Sequence, residues 1–249
     1  MEFATKLIHT EFPRKDAHNA LHMPVYNNAA FEFSDAEQME LAFAGRQPSH
    51  MYSRISNPTV EYFEQRVRIA ADAQNVTAAS SGMAAISNVF FTIGKSGNNI
   101  ITTKHLFGNT ISLFESTLQP FGIETKYCDF TNLNSVEKAI DKNTVAIFFE
   151  TITNPHLEVT DINRLADIAR SHNVLLIADS TVTPFNIFQA KKMGVNIEVI
   201  SSTKIISGGA TSIGGLIIDH GNYDWNFLEK LKPMVKKFGP HAFSMKLKK

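Results

Sequence analysis

The chain has 249 residues, 43% hydrophobic and 19% charged, with 24 Lys+Arg against 24 Asp+Glu. That length buries a real core, since chains of this size hide roughly three-quarters of their unfolded surface, and the balanced charge gives no basic excess for nucleic acid or an anionic membrane. One cysteine, Cys128, excludes an intrachain disulfide and suits a reducing compartment; with no run near the ~20 apolar residues of a membrane span and no signal-peptide stretch in residues 1–22, cytoplasmic residence is the expectation.

Residues 1–58 read as an extended His/Asn/Pro-rich arm with one short helix, "SDAEQMELAFAG". Ser34 and Glu37 have the spacing of a capping box there, and a glycine stops the helix. Asn57-Pro58 opens the next helix. In "YSRISNP" Tyr52 and Arg54 flank a serine. The planar fork of arginine suits phosphate, although the segment alone also fits a surface arm.

Residues 59–249 read as one α/β domain. "NVTAAS", "NNIITT", "IETKYCDF", "TVAIFFET", "NVLLIADS", "IEVISS" and "IGGLIID" have strand length and β-branched content. Helical patterns lie between them: "MAAISNVFFTIG" closed by Gly94, "TISLFESTLQPFG", "NLNSVEKAIDK" and "DINRLADIARSH". In the last, Ile162, Leu165, Ile168 and Ala169 share one face and Asp161 is placed to cap. Buried strands alternating with helices predict a mainly parallel sheet covered on both faces, with ligands at the carboxyl ends of the strands. The final segment, "LEKLKPMVKKFGPHAFSMKLKK", is basic and amphipathic.

Several residues fall where chemistry is expected. Asp179 ends the strand in "VLLIADST". A carboxylate there is costly unless paired; it reads either as a turn aspartate or as the partner of a protonated heterocyclic nitrogen. In "SSGMAA", Ser80 to Ala85, a strand runs through Ser-Gly straight into a helix, which is an ordinary turn or an anion site built on free helix N–H groups. Lys204, in "VISSTKIISGGATSIGG", follows three hydroxyl residues and precedes four glycines. Ser201 and Thr203 alternate as strand residues do. The lysine reads as a surface charge, a phosphate clamp or a covalent nucleophile. No HExxH, cysteine pair or GxSxG elbow occurs, so no metal is expected.

Taken in order, "YSRISNPT", "SSGMAAIS", "ETITNPHLEV", "IADSTVTP" and "SSTKIISGGATSIGG" resemble the pyridoxal-phosphate enzymes of cysteine and methionine metabolism. These are the cystathionine synthases and lyases, methionine γ-lyase and O-acetylhomoserine sulfhydrylase. In style the chain is most similar to the sulfhydrylases, given "HLFGNT", "ISGGATSIGGLIIDHGNYDW" and "LKPMVKKFGPHAF". The resemblance implies an aspartate-aminotransferase-like (fold type I) large domain: a mostly parallel seven-stranded sheet flanked by helices, preceded by the extended arm. It implies pyridoxal 5'-phosphate as cofactor and Lys204 as the Schiff-base lysine and proton shuttle. Asp179 would hold the pyridine nitrogen protonated. Ser81, Gly82, Met83, Ser201 and Thr203 would bind the phosphate, and Asn154 the ring hydroxyl. Tyr52 and Arg54 would reach the phosphate of a neighbouring subunit, so the site needs at least a homodimer, and the full-length family implies a tetramer.

The implied reaction is γ-replacement: O-acetylhomoserine with sulfide or a thiol gives homocysteine or methionine. Many relatives carry a tyrosine where this chain has Phe107, which can stack on the ring but moves no proton and so favours an acylated substrate. The family also continues into a C-terminal domain that supplies an arginine for the substrate carboxylate, and the chain stops near the expected connection to it. A γ-lyase on methionine or cystathionine, or a cofactor-binding part without turnover, are the alternatives.

Overall fold

The computed structural model describes residues 3–9, 16, 18–183 and 185–248. Part of the expected arm, residues 10–15 and 17, and the proline ending the "IADSTVTP" motif lie outside the described residues. The chain divides into two compact units, Met1–Ile69 and Ala70–Lys249.

In the first unit, α1 spans Phe3–Ile8, α2 Ala36–Phe43 and α3 Pro58–Ala70. The cap of α2 differs from the sequence expectation. Asp35, not Ser34, is the N-cap, and its carboxylate accepts the Gln38 N–H at 2.8 Å. Ser34 is one residue too early and donates its hydroxyl to Asp35 instead. The expected stop holds, since Gly45 sits at φ +68 just beyond the helix. Asn57 starts α3 as expected: its Oδ1 accepts the Thr59 N–H at 2.8 Å, while its amide donates to the Tyr26 carbonyl and the Ser53 hydroxyl. Ala30 and Tyr52 form an isolated antiparallel bridge, and the Arg54 guanidinium lies over the Tyr52 ring at 5.5 Å.

The second unit is built on one sheet with strand order β1-β7-β6-β5-β4-β2-β3. The strands are β1 Asn75–Ala79, β2 Asn99–Thr102, β3 Glu124–Tyr127, β4 Thr144–Glu150, β5 Leu175–Asp179, β6 Ile197–Ile200 and β7 Gly215–Asp219. All seven fall on the apolar runs read from the sequence. The sheet is mostly parallel; β7 alone runs antiparallel to both neighbours, β6 and β1.

Strand periodicity divides the core into two layers. Ile100, Ala146, Phe148, Leu175 and Ile177 face one side, where α4 (Gly82–Ile93), α8 (Lys232–Phe238) and α9 (Ala242–Leu247) pack. Their neighbours Ile101, Ile147, Phe149, Leu176 and Ala178 face the other, against α6 (Leu133–Ala139) and α7 (Ile162–Ser171). Asp161 caps α7, and Ile162, Leu165, Ile168 and Ala169 are buried as the spacing predicts.

One expected α-helix changes character. "TISLFESTLQPFG" forms α5 (Gly108–Ser112) and then a π-helical turn over Leu113–Leu118. Phe114 and Leu118 are both fully buried there, with Phe114 edge-on to Phe90 and Phe148 at 5.1 and 5.5 Å. Aromatic packing of this kind overrides the 3.6-residue period. Among the described residues no helix is long and apolar enough to cross a membrane.

Candidate functional site

Five strands of the second unit end at one edge, and a cavity of about 260 Å³ opens there. Of the residues singled out in the sequence, Ser81, Gly82, Met83, Phe107, Asn154, Asp179, Ser201, Thr203 and Lys204 all line it. Tyr52 and Arg54 belong to the first unit. A larger cavity of about 450 Å³ lies between α7 and the Tyr223 loop, away from this convergence.

Local structure explains each placement. The chain leaves β1 and turns directly into α4, whose N-cap is Ser81; its hydroxyl accepts the Ala84 N–H at 3.0 Å. The Gly82 and Met83 N–H groups, in the first turn, have no acceptor within the helix and carry the positive end of its dipole. A Cβ on Gly82 would lie 2.7 Å from the Ser201 Cβ, so glycine alone lets the first turn of α4 pass this close to Ser201. Gly215 answers a different need: a Cβ there would sit 2.0 Å from the Ser81 carbonyl oxygen. It lets β7 run tightly against the end of β1.

The lysine segment also departs from the sequence reading. β6 ends at Ile200, and Ser201 onward is a series of turns, so Ser201 and Thr203 do not extend the strand alternation. The Thr203 hydroxyl donates to the Gly214 carbonyl at 3.2 Å and accepts the Gly214 N–H at 3.1 Å, closing the loop from Thr203 to Gly214 over itself. Lys204 stands at the start of that loop, exposed at the cavity, and forms no ion pair among the described residues.

Two residues missed in the sequence complete the site. Thr181 donates its hydroxyl to Asp179 Oδ1 at 2.6 Å and its N–H to the same oxygen at 3.0 Å, and it accepts the Ser201 N–H at 2.9 Å. Glu150 ends β4 in register with Asp179 and is buried. Its Oε1 accepts the Phe107 N–H at 2.7 Å and its Oε2 the Asn154 N–H at 2.9 Å. The sequence signal for Glu150 was available: a carboxylate closing a buried strand, as at Asp179.

Burial raises both carboxyls. Asp179 is pushed up by desolvation, with Glu198 adding to it and the two Thr181 bonds opposing. Glu150 is raised to about 7, again by desolvation first; its two N–H donors oppose and Asp179 adds. An anionic Asp179 therefore calls for a cationic partner in the cavity.

A half-buried carboxylate, an exposed amine and a helix N-terminus around one cleft, on a seven-stranded mixed sheet, define an α/β protein with a strand-end site suited to an anionic ligand. The chain belongs to the Cys/Met metabolism PLP-dependent enzyme family, whose model matches residues 4–244. It is 33% identical over 95% of its length to the O-acetyl-L-homoserine sulfhydrylase of Corynebacterium glutamicum, and 36% identical over 82% to the L-methionine γ-lyase of Fusobacterium nucleatum. These alignments cover 54% and 52% of the two relatives, so the chain spans about half the length of the curated relatives it matches.

Among solved structures, one from Campylobacter jejuni, assigned as an O-acetylhomoserine (thiol)-lyase, superposes with a TM-score of 0.84 at 34% identity. It covers 93% of this chain and 56% of that one, and carries a pyridoxyl-lysine-5'-monophosphate. The O-acetylhomoserine sulfhydrylase of Wolinella succinogenes superposes with a TM-score of 0.73 at 46% identity, over 78% of this chain and 56% of that one. The fold is that of the type I pyridoxal-phosphate enzymes, and the family's cofactor is pyridoxal phosphate.

The cavity fits that group on its own chemistry. The N–H groups of the first turn of α4, at the cavity wall, suit a phosphate, and the desolvated Asp179 carboxyl suits a protonated ring nitrogen.

Proposed function

We propose that this chain is the cofactor-binding part of a pyridoxal-phosphate transferase that replaces the γ-substituent of O-acetylhomoserine by sulfide or a thiol, giving homocysteine or methionine. The observation that carries the reading is the convergence of Lys204, Asp179 and the start of α4 on one cavity. Similarity to sulfhydrylases supports the transfer. The similarity to a methionine γ-lyase supports elimination on the same scaffold as a second reading.

Bound pyridoxal phosphate supplies an electron sink for charge developing on the substrate carbon. The chain's own residues do the rest. The Gly82 and Met83 N–H groups and the Ser81 and Ser201 hydroxyls hold the phosphate; Thr203 joins them when its proton leaves the Gly214 carbonyl. Asp179 keeps a proton at the ring nitrogen, which in turn stabilises its buried charge. Asn154 is assigned to the ring hydroxyl. Phe107 would lie against the ring, worth about 1 kcal/mol, and having no hydroxyl it would leave proton transfer to Lys204, the residue placed to hold the group covalently. An acetate-like leaving group departs without a strong acid, which suits this division. Tyr52 and Arg54 are assigned to the phosphate of a neighbouring copy, so the working unit is a homodimer or a tetramer built from it. A soluble amino-acid substrate goes with cytoplasmic residence.

Borohydride reduction of the chain loaded with pyridoxal phosphate, followed by peptide mass spectrometry, tests this. The adduct is expected on Lys204, and Lys204→Ala is expected to lose it while keeping its far-UV circular dichroism. An adduct elsewhere, or none, overturns the reading. Incubating the full-length enzyme with O-acetylhomoserine plus sulfide, against methionine alone, separates transfer from elimination.

A further inference from the structure

We propose that Glu150 is a positioning residue: its one carboxylate fixes the Phe107 wall of the cavity to the segment that carries Asn154. Its importance for the cofactor rests on the function proposed above, but the tie itself does not.

Phe107 lies in the stretch between β2 and α5, the residue 45% exposed at the cavity. Asn154 lies in an irregular segment after β4. Phe107 is held by a helix only as the N-cap of the five-residue α5, whose Thr110 N–H donates to its carbonyl at 2.9 Å, and Asn154 belongs to no strand or helix. Glu150 reaches both, one oxygen to each backbone N–H, linking Phe107, 43 residues before it, to Asn154, four residues after it. The residue is only 6% exposed.

Farther out the same two segments meet again. His105 Nδ1 lies 2.7 Å from Glu158 Oε2, and the His105 and His156 rings stack at 4.3 Å between centroids. That outer pair is half exposed, and exposed pairs hold geometry weakly. The buried tie is the one that sets the wall.

A carboxyl group of this length sets one oxygen against each of the two donors. The two N–H donors lie on different oxygens, so both oxygens of the side chain are used. Glutamine would turn its amide NH2 toward one donor, and aspartate is one methylene too short to reach both. Since Phe107 and Asn154 border the cofactor cavity from opposite segments, loosening Glu150 releases both contacts together.

Amide hydrogen exchange followed by NMR on the chain without cofactor reads the tie directly. The Phe107 and Asn154 N–H groups are expected to be protected. In Glu150→Gln at least one should exchange about tenfold faster or more, a loss of one net hydrogen bond, while the Leu176 N–H in β5 stays as in the wild type. Glu158→Ala, which removes only the outer acceptor, should leave both protected. Unchanged exchange in Glu150→Gln overturns the proposal.

With pyridoxal phosphate added, the variant should bind it about tenfold more weakly, and the pH midpoint of the bound cofactor's visible band should move down because a nearby negative charge is gone. Faster exchange with an unchanged affinity and midpoint would overturn the positioning role. If even the wild type takes up no cofactor, the proposed function fails, and the exchange rates still decide whether Glu150 makes the tie. Should Glu150→Gln not fold, Glu150→Asp, which keeps the charge and loses the reach, carries the same exchange test.

Discussion

Thr181 stands between an anion and an amide, donating to Asp179 and accepting from Ser201 through one hydroxyl. Thr181→Val keeps the shape and removes both bonds. The Ser201 N–H then loses its acceptor, and Asp179 keeps a single donor. A loss of about 1–3 kcal/mol in urea-unfolding stability is expected, with Asp179 raised further. Glu150 makes a second prediction at this scale. Burial lifts its pKa from an ordinary 4.5 to about 7. The folded chain therefore keeps a proton that the unfolded chain releases between those values. This contribution to stability is complete below about 4.5 and is lost as pH rises through 7. It amounts to about 3 kcal/mol at most. Glu150→Gln has no such proton, so the stability of the wild type relative to this variant should fall across pH 5 to 8. A difference that stays flat across that range would show that the carboxyl titrates normally.

The strands β5, β6 and β7 share a buried polar chain behind the cavity. The Ser180 hydroxyl donates to Glu198, and Glu198 Oε2 lies 3.2 Å from His220 Nε2; all three residues are about 1% exposed. Removing the central member strands its neighbours without an acceptor. Glu198→Ala should cost about 3 kcal/mol or more, a large fraction of an ordinary domain's stability. The junction of β1 and β7 is held by shape instead. Gly215→Ala places a Cβ 2.0 Å from a backbone oxygen, and neither strand can withdraw without giving up its ladder. A cost of about 3 kcal/mol is expected, read as a lowered melting temperature, although the glycine's backbone angles themselves suit alanine.

At the scale of the molecule, the proposed dimer has its own test. If Arg54 of one copy serves the cavity of another, an Arg54→Ala chain and a Lys204→Ala chain each lack one requirement for cofactor. Arg54→Ala alone should weaken pyridoxal-phosphate binding about tenfold. Mixing the two chains should restore tight uptake at one site per hybrid dimer, which holds an intact Lys204 from one copy and an intact Arg54 from the other. Binding no better than the sum of the separate chains would place Arg54 within its own copy or outside the site.

Much of this was legible in the residues themselves. Apolar runs of strand length and the single face of α7 are local patterns, and hydrophobic periodicity fixes them without reference to distant partners. Asp179 and the start of α4 could be located because a strand's end and a helix's first turn are also local. The partners of those residues could not. The antiparallel course of β7, the Thr203–Gly214 closure, the tight pass of Gly215 by Ser81 and the double hold of Glu150 on Phe107 and Asn154 join residues brought together only by folding. Sequence by itself determined the elements and the chemical groups at their ends, because side-chain pattern and backbone preference act within a few residues. Tertiary structure alone decided which donor meets which acceptor, because a hydrogen bond depends on separation in space and carries no period along the chain.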